Sequence, residues 1–281
     1  MIRTSKQLKD LIRNRSSKKK TEAHVIMRNY MMERLLERIS LTSYRDRFIL
    51  KGGMLVSALV GIDIRSTMDM DTTLKGLPLT IDSVERILNE ICSFPFDDGV
   101  SFEIKSISEM MEESEYGGIR VSMEALFDGV RIPMKLDIST GDIITPSEII
   151  FEVPLMFEDR KIAIWAYNLE TVLAEKLETV ITRAVTNTRM RDLYDLCILQ
   201  KLHAERIDPV VFQQAIAATA IKRGTSAFLK EAHQVFNEIE QSEYQQKLWH
   251  AYQTKFQYAA AITWSEVMQA VREMGYMAAL S

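Results

Sequence analysis

The spacing of apolar positions changes character along this chain. Over residues 21–39 they recur at 25, 26, 31, 32, 35, 36 and 39, the spacing of a helix face. FILKGG (48–53) is a short apolar run stopped by two glycines, and MLVSALVG (54–61) predicts a short helix closed by Gly61. MDMDTTL (68–74) alternates and predicts a strand. Helical spacing returns over 80–93 through Ile81, Val84, Ile87, Leu88 and Ile91. A hairpin follows. Residues 118–127 alternate at Ile119, Val121, Met123, Ala125 and Phe127; Asp128-Gly129 supplies the turn; 130–139 alternate at Val130, Ile132, Met134, Leu136 and Ile138. Pro133 lacks an N–H, so an edge position or a bulge is expected there. From about 168 the period is helical, in pieces near 168–186, 189–202, 208–220, 226–239, 241–257 and 264–279. The fold class expected is α+β: residues 1–160 form a domain with a small mixed sheet flanked by helices, and residues 161–281 a helical domain. The boundary falls near 155–167.

Composition narrows the setting. With 47% hydrophobic and 26% charged residues the chain reads as soluble and globular, and no apolar run approaches a membrane span. The basic N-terminal segment has no apolar stretch behind it, so no secretory signal is expected. Cys92 and Cys197 are isolated, which argues against a disulfide framework or zinc site and for a reducing cytoplasm. The four histidines are scattered, and the 16 methionines mostly hold apolar positions. Residues 1–20 carry eight Lys or Arg against Asp10 alone. That segment is either a solvated, frayed terminus or a handle for a polyanion such as RNA.

The alternation at 68–74 places two acids on one face. On a strand Asp69 and Asp71 project together, with Met68, Met70 and Leu74 toward the core. Paired carboxylates repel unless a cation joins them, and oxygen ligands on a strand suit Mg²⁺. Asp137 shares a polar face with Lys135 and Ser139 in the second hairpin strand. If that strand lies beside the first, three carboxylates converge as a two-metal centre for phosphoryl transfer. A bare DxD describes a half-exposed strand equally well. The upstream Lys51-Gly52-Gly53 changes the balance, because glycines at a strand-to-helix turn present N–H groups to phosphate.

The helical half offers a second cluster. Asn168 is expected to cap a helix whose apolar stripe runs through Leu169, Val172, Leu173, Leu177, Val180, Ile181 and Ala184. Lys176 falls within that stripe. An unpaired buried lysine is costly, so Lys176 should be snorkelling, paired or functional. In RMRDLYDLCIL (189–199), Arg191 and Asp195 are i, i+4 neighbours and Asp192 sits in the first turn, which also fits an ion-paired helix start.

FILKGGMLVSALVGIDIRSTMDMD resembles the first motif of nucleotidyltransferase-fold proteins, and more narrowly that of the AbiEii/AbiGii abortive-infection toxins. KLDIS (135–139) resembles their second motif; LAEKLETVITR and RDLYDL resemble the third and fourth, in the family's order. The resemblance implies Mg²⁺ and a nucleoside triphosphate at Asp69 and Asp71, with the triphosphate's phosphates on Gly52 and Gly53. It implies that Asp137 is the third carboxylate, acting as general base or second-metal ligand. Lys176, with Asp192 or Asp195, would complete the site, Arg65 would offset phosphate charge, and one of the two aspartates would orient Lys176 or Arg191. Met54 departs from the small hydroxyl residue common after the glycines. The implied reaction is attack on the α-phosphorus with loss of pyrophosphate, the acceptor the 3′ end of a tRNA or another RNA, and the role a toxin neutralised by a cognate antitoxin. The fold also admits a small-molecule (antibiotic) nucleotidyltransferase or a catalytically silent binding module.

Overall fold

The computed structural model describes residues 2–19, 21–110 and 117–280; Met1 and Lys20 of the basic segment lie outside the described residues. The chain divides into two compact units, Met1–Asp142 with Ile149–Ala166, and Ile143–Glu148 with Tyr167–Ser281.

The first unit runs α1 (Ser5–Lys19), α2 (Ala23–Leu41), β1 (Phe48–Lys51), α3 (Gly52–Val60), β2 (Met70–Leu74), α4 (Ile81–Cys92), β3 (Val100–Met110), β4 (Gly118–Phe127), β5 (Val130–Thr140), β6 (Ile149–Pro154) and β7 (Lys161–Ala166). The seven strands form one mixed sheet in the order β3-β4-β5-β2-β1-β7-β6. β2 pairs parallel with β5, and β1 with β7; the other pairs are antiparallel.

The expected hairpin is β4–β5. Asp128 and Gly129 have φ of 44° and 79°, the left-handed turn conformation that matches strand twist. Pro133 pairs with Glu124 in unbroken register, whereas β2 joins β5 only from Leu136 onward. Of the two expectations for Pro133, the edge holds: its missing N–H lies where β5 has β4 as its only partner.

Three strands went unread in the sequence. β3 buries only Val100 and Phe102, so its outer half shows no apolar alternation. β6 is the sheet edge and exposes Ile149 and Ile150. β7 belongs to the sheet, which corrects the placement of residues 161–166 in the helical half. Conversely, 143–148 goes with the helices. β2 begins at Met70, so Met68 and Asp69 precede the strand in a bend, and Met68 is half-exposed.

The basic segment is a packed helix. Leu8 and Ile12 of α1 are buried and α1 packs on α2; Arg3 pairs with Asp97 at 2.8 Å and Arg15 with Asp63 at 3.0 Å. Ser5 N–H donates to Asp128 at 2.8 Å. The frayed-terminus alternative is therefore corrected. Covering α2 with α1 on one side and β5 and β7 on another buries charged residues as well as its apolar stripe. Each has a partner. Arg38 forks onto Asp98 at 2.9 and 2.8 Å, and Arg34 reaches Glu37 at 3.0 Å and Glu158 at 3.2 Å.

The second unit contains α5 (Leu169–Arg183), α6 (Met190–His203), α7 (Pro209–Arg223), α8 (Ala232–Gln241), α9 (Glu243–Lys255) and α10 (Trp264–Met277). The Asn168 side chain accepts from Thr171 N–H at 2.8 Å, the expected cap, and donates to the carbonyls of Thr145 and Ser147. Asp208 before Pro209 and a Thr263/Glu266 capping box start α7 and α10. The helix expected over 226–239 is split, with a 3₁₀ turn at Phe228–Glu231 before α8. No helix among the described residues is long and apolar enough to cross a membrane.

Candidate active site

Strand register assembles a charged row in the first unit. Lys51 on β1 faces Asp71 on β2, Asp71 faces Asp137 on β5, and Asp137 faces Arg120 on β4. Cross-strand partners point to the same sheet face. Leu50, Met70, Leu136 and Val121, one residue away on each strand, are buried on the other. The four strands thus present cation, acid, acid and cation in line.

The glycine turn is shaped around Asp71. Gly52 has φ of 61°, and a Cβ there would stand 2.2 Å from Asp71 Oδ2. Gly53 N–H donates to the same oxygen at 3.1 Å. A Cβ on Gly53 would meet Thr67 Oγ1 at 2.7 Å and Arg65 Nη2 at 3.2 Å, so buried Arg65 packs beside the turn. The glycine turn opens α3, and the carboxylate of Asp71 stands at that helix start.

Asp69 joins the site by a different route from the one expected. It lies in the bend before β2, held by Thr67 Oγ1 donating to its carbonyl at 3.1 Å. Asn29 on α2 donates to the Thr67 carbonyl at 2.8 Å and pins the bend. Burial raises the pKa of Asp71, and the charges of Asp137 and Asp69 push it the same way, against the Gly53 N–H and Lys51. Negative charge is in excess around Asp71.

Two further residues, absent from the sequence reading, take up the row's side chains. Arg120 donates from Nε and Nη2 to both oxygens of Asp137, at 2.8 and 2.6 Å. Counting outward from the Asp128-Gly129 turn pairs these two residues, so the signal was in the hairpin. Lys51 ends on Asp142 Oδ2 at 2.7 Å; Ser139 Oγ donates to that oxygen at 2.7 Å, and so does Thr73 Oγ1. Burial would raise the Asp142 pKa, but Lys51 and the hydroxyls hold it below the usual carboxylate range. Nothing in the local sequence marks Asp142 as the lysine's partner.

The three-carboxylate metal centre expected from Asp69, Asp71 and Asp137 is not gathered here. Among the described residues no three His, Cys, Asp or Glu side chains are arranged to hold a metal. The physical reason is that Arg120 takes Asp137 and Gly53 takes one oxygen of Asp71. The donor set still fits Mg²⁺ chemically, being all oxygen and short of positive charge.

In the second unit Lys176 is paired. Its Nζ lies 3.0 Å from Asp192 Oδ1 and 2.7 Å from Asp195 Oδ2, with only 11% of its side chain exposed. Both aspartates hold it, and the snorkelling alternative is overturned. Arg191 does not take Asp195; its guanidinium lies over the Phe256 ring at 5.9 Å. Arg189 reaches Asp192 Oδ2 at 2.8 Å.

Comparison with known proteins bears on this arrangement. In solved structures the chain resembles a candidate nucleotidyltransferase from H. pylori at 17% identity and TM-score 0.52, over 92% of this chain and 95% of that one. JHP933 from Helicobacter pylori aligns at 18% identity and TM-score 0.49, over 91% and 90%. No curated protein sequence gives a match. The first of these likenesses supports a nucleotidyltransferase-like fold. The model of the family "Nucleotidyl transferase AbiEii toxin, Type IV TA system" matches residues 34–270, a span that contains both charged clusters. The chain therefore belongs to the AbiEii toxin family of type IV toxin–antitoxin systems and is a nucleotidyltransferase.

Proposed function

We propose that this nucleotidyltransferase binds a nucleoside triphosphate with Mg²⁺ at Asp69 and Asp71 and transfers the nucleotide to the 3′ end of an RNA, with tRNA the intended acceptor. The observation that carries the reading is the Lys51–Asp71–Asp137–Arg120 row, in which burial and neighbouring carboxylates leave Asp71 in need of a cation. Bound there, Mg²⁺ supplies charge neutralisation on the triphosphate and on the departing pyrophosphate.

The chain's own residues do the remainder. Gly52 and Gly53 let the helix start approach the phosphates closely. Asp137, once free of Arg120, would add a carboxylate to the metal site and accept the proton of the attacking hydroxyl. The hydroxyl oxygen then bonds to the α-phosphorus as the α–β bridging bond breaks, and pyrophosphate carries off the electron pair. The released Arg120, with Arg65, balances charge developing on phosphate oxygens. Lys176 is held in the second unit between Asp192 and Asp195. An RNA acceptor accords with α1, which exposes Lys6, Lys9, Arg13 and Lys18. Family membership brings with it an antitoxin partner that restrains the activity.

The test is incubation with Mg²⁺, each labelled nucleoside triphosphate and total RNA. Label should pass to RNA with the wild type and not with Asp69→Ala. No transfer by the wild type, or equal transfer by the variant, defeats the proposal. Label on an aminoglycoside instead would support the small-molecule alternative.

A further inference from the structure

A cleft in the second unit borders the Lys176 cluster through Asp192. It has a volume of about 420 Å³ and is lined by Arg189, Arg191, Asp192, Leu248, Lys255 and Phe256, among others. The size suits one small ligand. Its aromatic lining is Phe256 and Tyr252. The half-buried Phe256 ring stacks on Tyr258 at 5.4 Å and 25°, and Tyr252 supports it at 4.7 Å. Two cations lie over that ring: Arg191 at 5.9 Å and Lys255 at 5.4 Å from its centroid.

The charges decide what the cleft suits. Asp192 is its only acid, and Lys176 and Arg189 already answer it. Arg191 and Lys255 have no carboxylate partner among the described residues. A cation resting on an aromatic face gains a little where it stands and remains free to turn to an anion. Cations that turn from the ring to phosphates uncover the face they lay on, the combination that binds an unpaired nucleotide, base on the ring and phosphates on the cations.

We infer that this cleft, centred on Phe256, Arg191 and Lys255, binds an unpaired nucleotide of a single-stranded RNA. The site follows from the cleft itself; only the choice of RNA over DNA rests on the RNA-acceptor reading of the proposed function. Phe256 supplies the stacking surface for the base. Arg191 and Lys255 take the flanking phosphates. A nucleotide held this way is recognised by its π-face and backbone, so the cleft accepts many sequences.

The test measures binding and needs no turnover. Fluorescence anisotropy of a short fluorescein-labelled single-stranded RNA is followed over a salt series, beside the same sequence in DNA and beside free ATP and CTP. Phe256→Leu is expected to weaken RNA by about tenfold, the loss of one stacked base, and Phe256→Tyr to restore it. Arg191→Gln and Lys255→Gln should each flatten the slope of log K against log salt by about 0.7. Thermal melting of each variant identifies any that merely unfold, and Phe256→Tyr keeps the ring test valid if Phe256→Leu does. Unchanged RNA affinity in folded Phe256→Leu and Arg191→Gln overturns the inference. Equal weakening of free nucleoside triphosphate also overturns it, because the cleft would then belong to the donor nucleotide. If DNA binds as tightly as RNA, with the same dependence on Phe256, the strand site stands and the RNA-acceptor reading is what fails.

Discussion

Arg120 holds both carboxylate oxygens of Asp137, at 2.8 and 2.6 Å, and so keeps one acid of the row out of reach of a metal. Removing the guanidinium releases that acid. Arg120→Gln should lower the Mg²⁺ concentration for half-maximal binding by about threefold to fivefold, the scale of a partly exposed ion pair. Calorimetric titration with Mg²⁺ and a non-hydrolysable nucleotide measures it. An unchanged midpoint would show that Asp137 takes no part in metal binding.

Gly52 is constrained twice, by its φ of 61° and by Asp71 standing in the Cβ position. Gly61 separates the two constraints, since its φ is 96° and nothing lies within 4 Å of a Cβ there. Gly61→Ala should cost about 1–3 kcal/mol of stability through the backbone and leave transfer nearly intact. Gly52→Ala carries a similar backbone cost and also displaces Asp71, so nucleotide transfer should fall about 100-fold. Urea unfolding beside single-turnover rates compares them. Equal activity of the two variants would contradict the packing of Gly52 on Asp71.

Lys176 depends on acids that are themselves almost fully enclosed, Asp195 with none of its side chain exposed. Asp195→Ala leaves a buried ammonium short of a partner, and should cost about 3–5 kcal/mol in urea unfolding. Asp195→Asn retains a hydrogen-bond acceptor and should cost less. A loss under about 1 kcal/mol for Asp195→Ala would mean that Asp192 alone suffices for the lysine.

Glu33 links stability to pH. Burial lifts its pKa from 4.5 to about 8, opposed by the Met156 N–H, Arg34 and Arg15. The folded form therefore holds a proton that the unfolded form has lost between these values. This group's contribution to stability is greatest below pH 4.5, falls as pH rises through the window and levels off above about 8. Glu33→Gln keeps an acceptor for Met156 and should remove that fall. Its urea midpoint should exceed that of the wild type at about pH 9 and approach it near pH 5. The same pH slope in both proteins would rule out Glu33 as the titrating group.

Much of the scaffold can be read from short windows. Alternation over 118–127 and 130–139 with Asp128-Gly129 between them yields the hairpin and, by counting, the Arg120–Asp137 pair. Periodicity yields α2, α4, α5 and α6, and Asn168 marks the start of α5. The sheet-edge strands β3 and β6 do not show, because a strand exposed on much of its surface has no need to alternate. The buried charges of α2 look like a solvated face until α1 covers them.

The candidate site divides in the same way. The sequence by itself placed Asp71 and Asp137 on polar strand faces and Lys176 within an apolar stripe, since period and face are local properties of the backbone. It could not show that Lys51 ends on Asp142, 91 residues away, or that Asp69 stands in a bend pinned by Asn29. Nor could it show that Arg191 leaves Asp195 for the Phe256 ring. Those outcomes depend on strand order, on helix packing and on which oppositely charged group lies nearest in space. Only the tertiary structure decides them, because electrostatic partners are chosen by distance through the fold, whereas sequence spacing fixes only direction along one element.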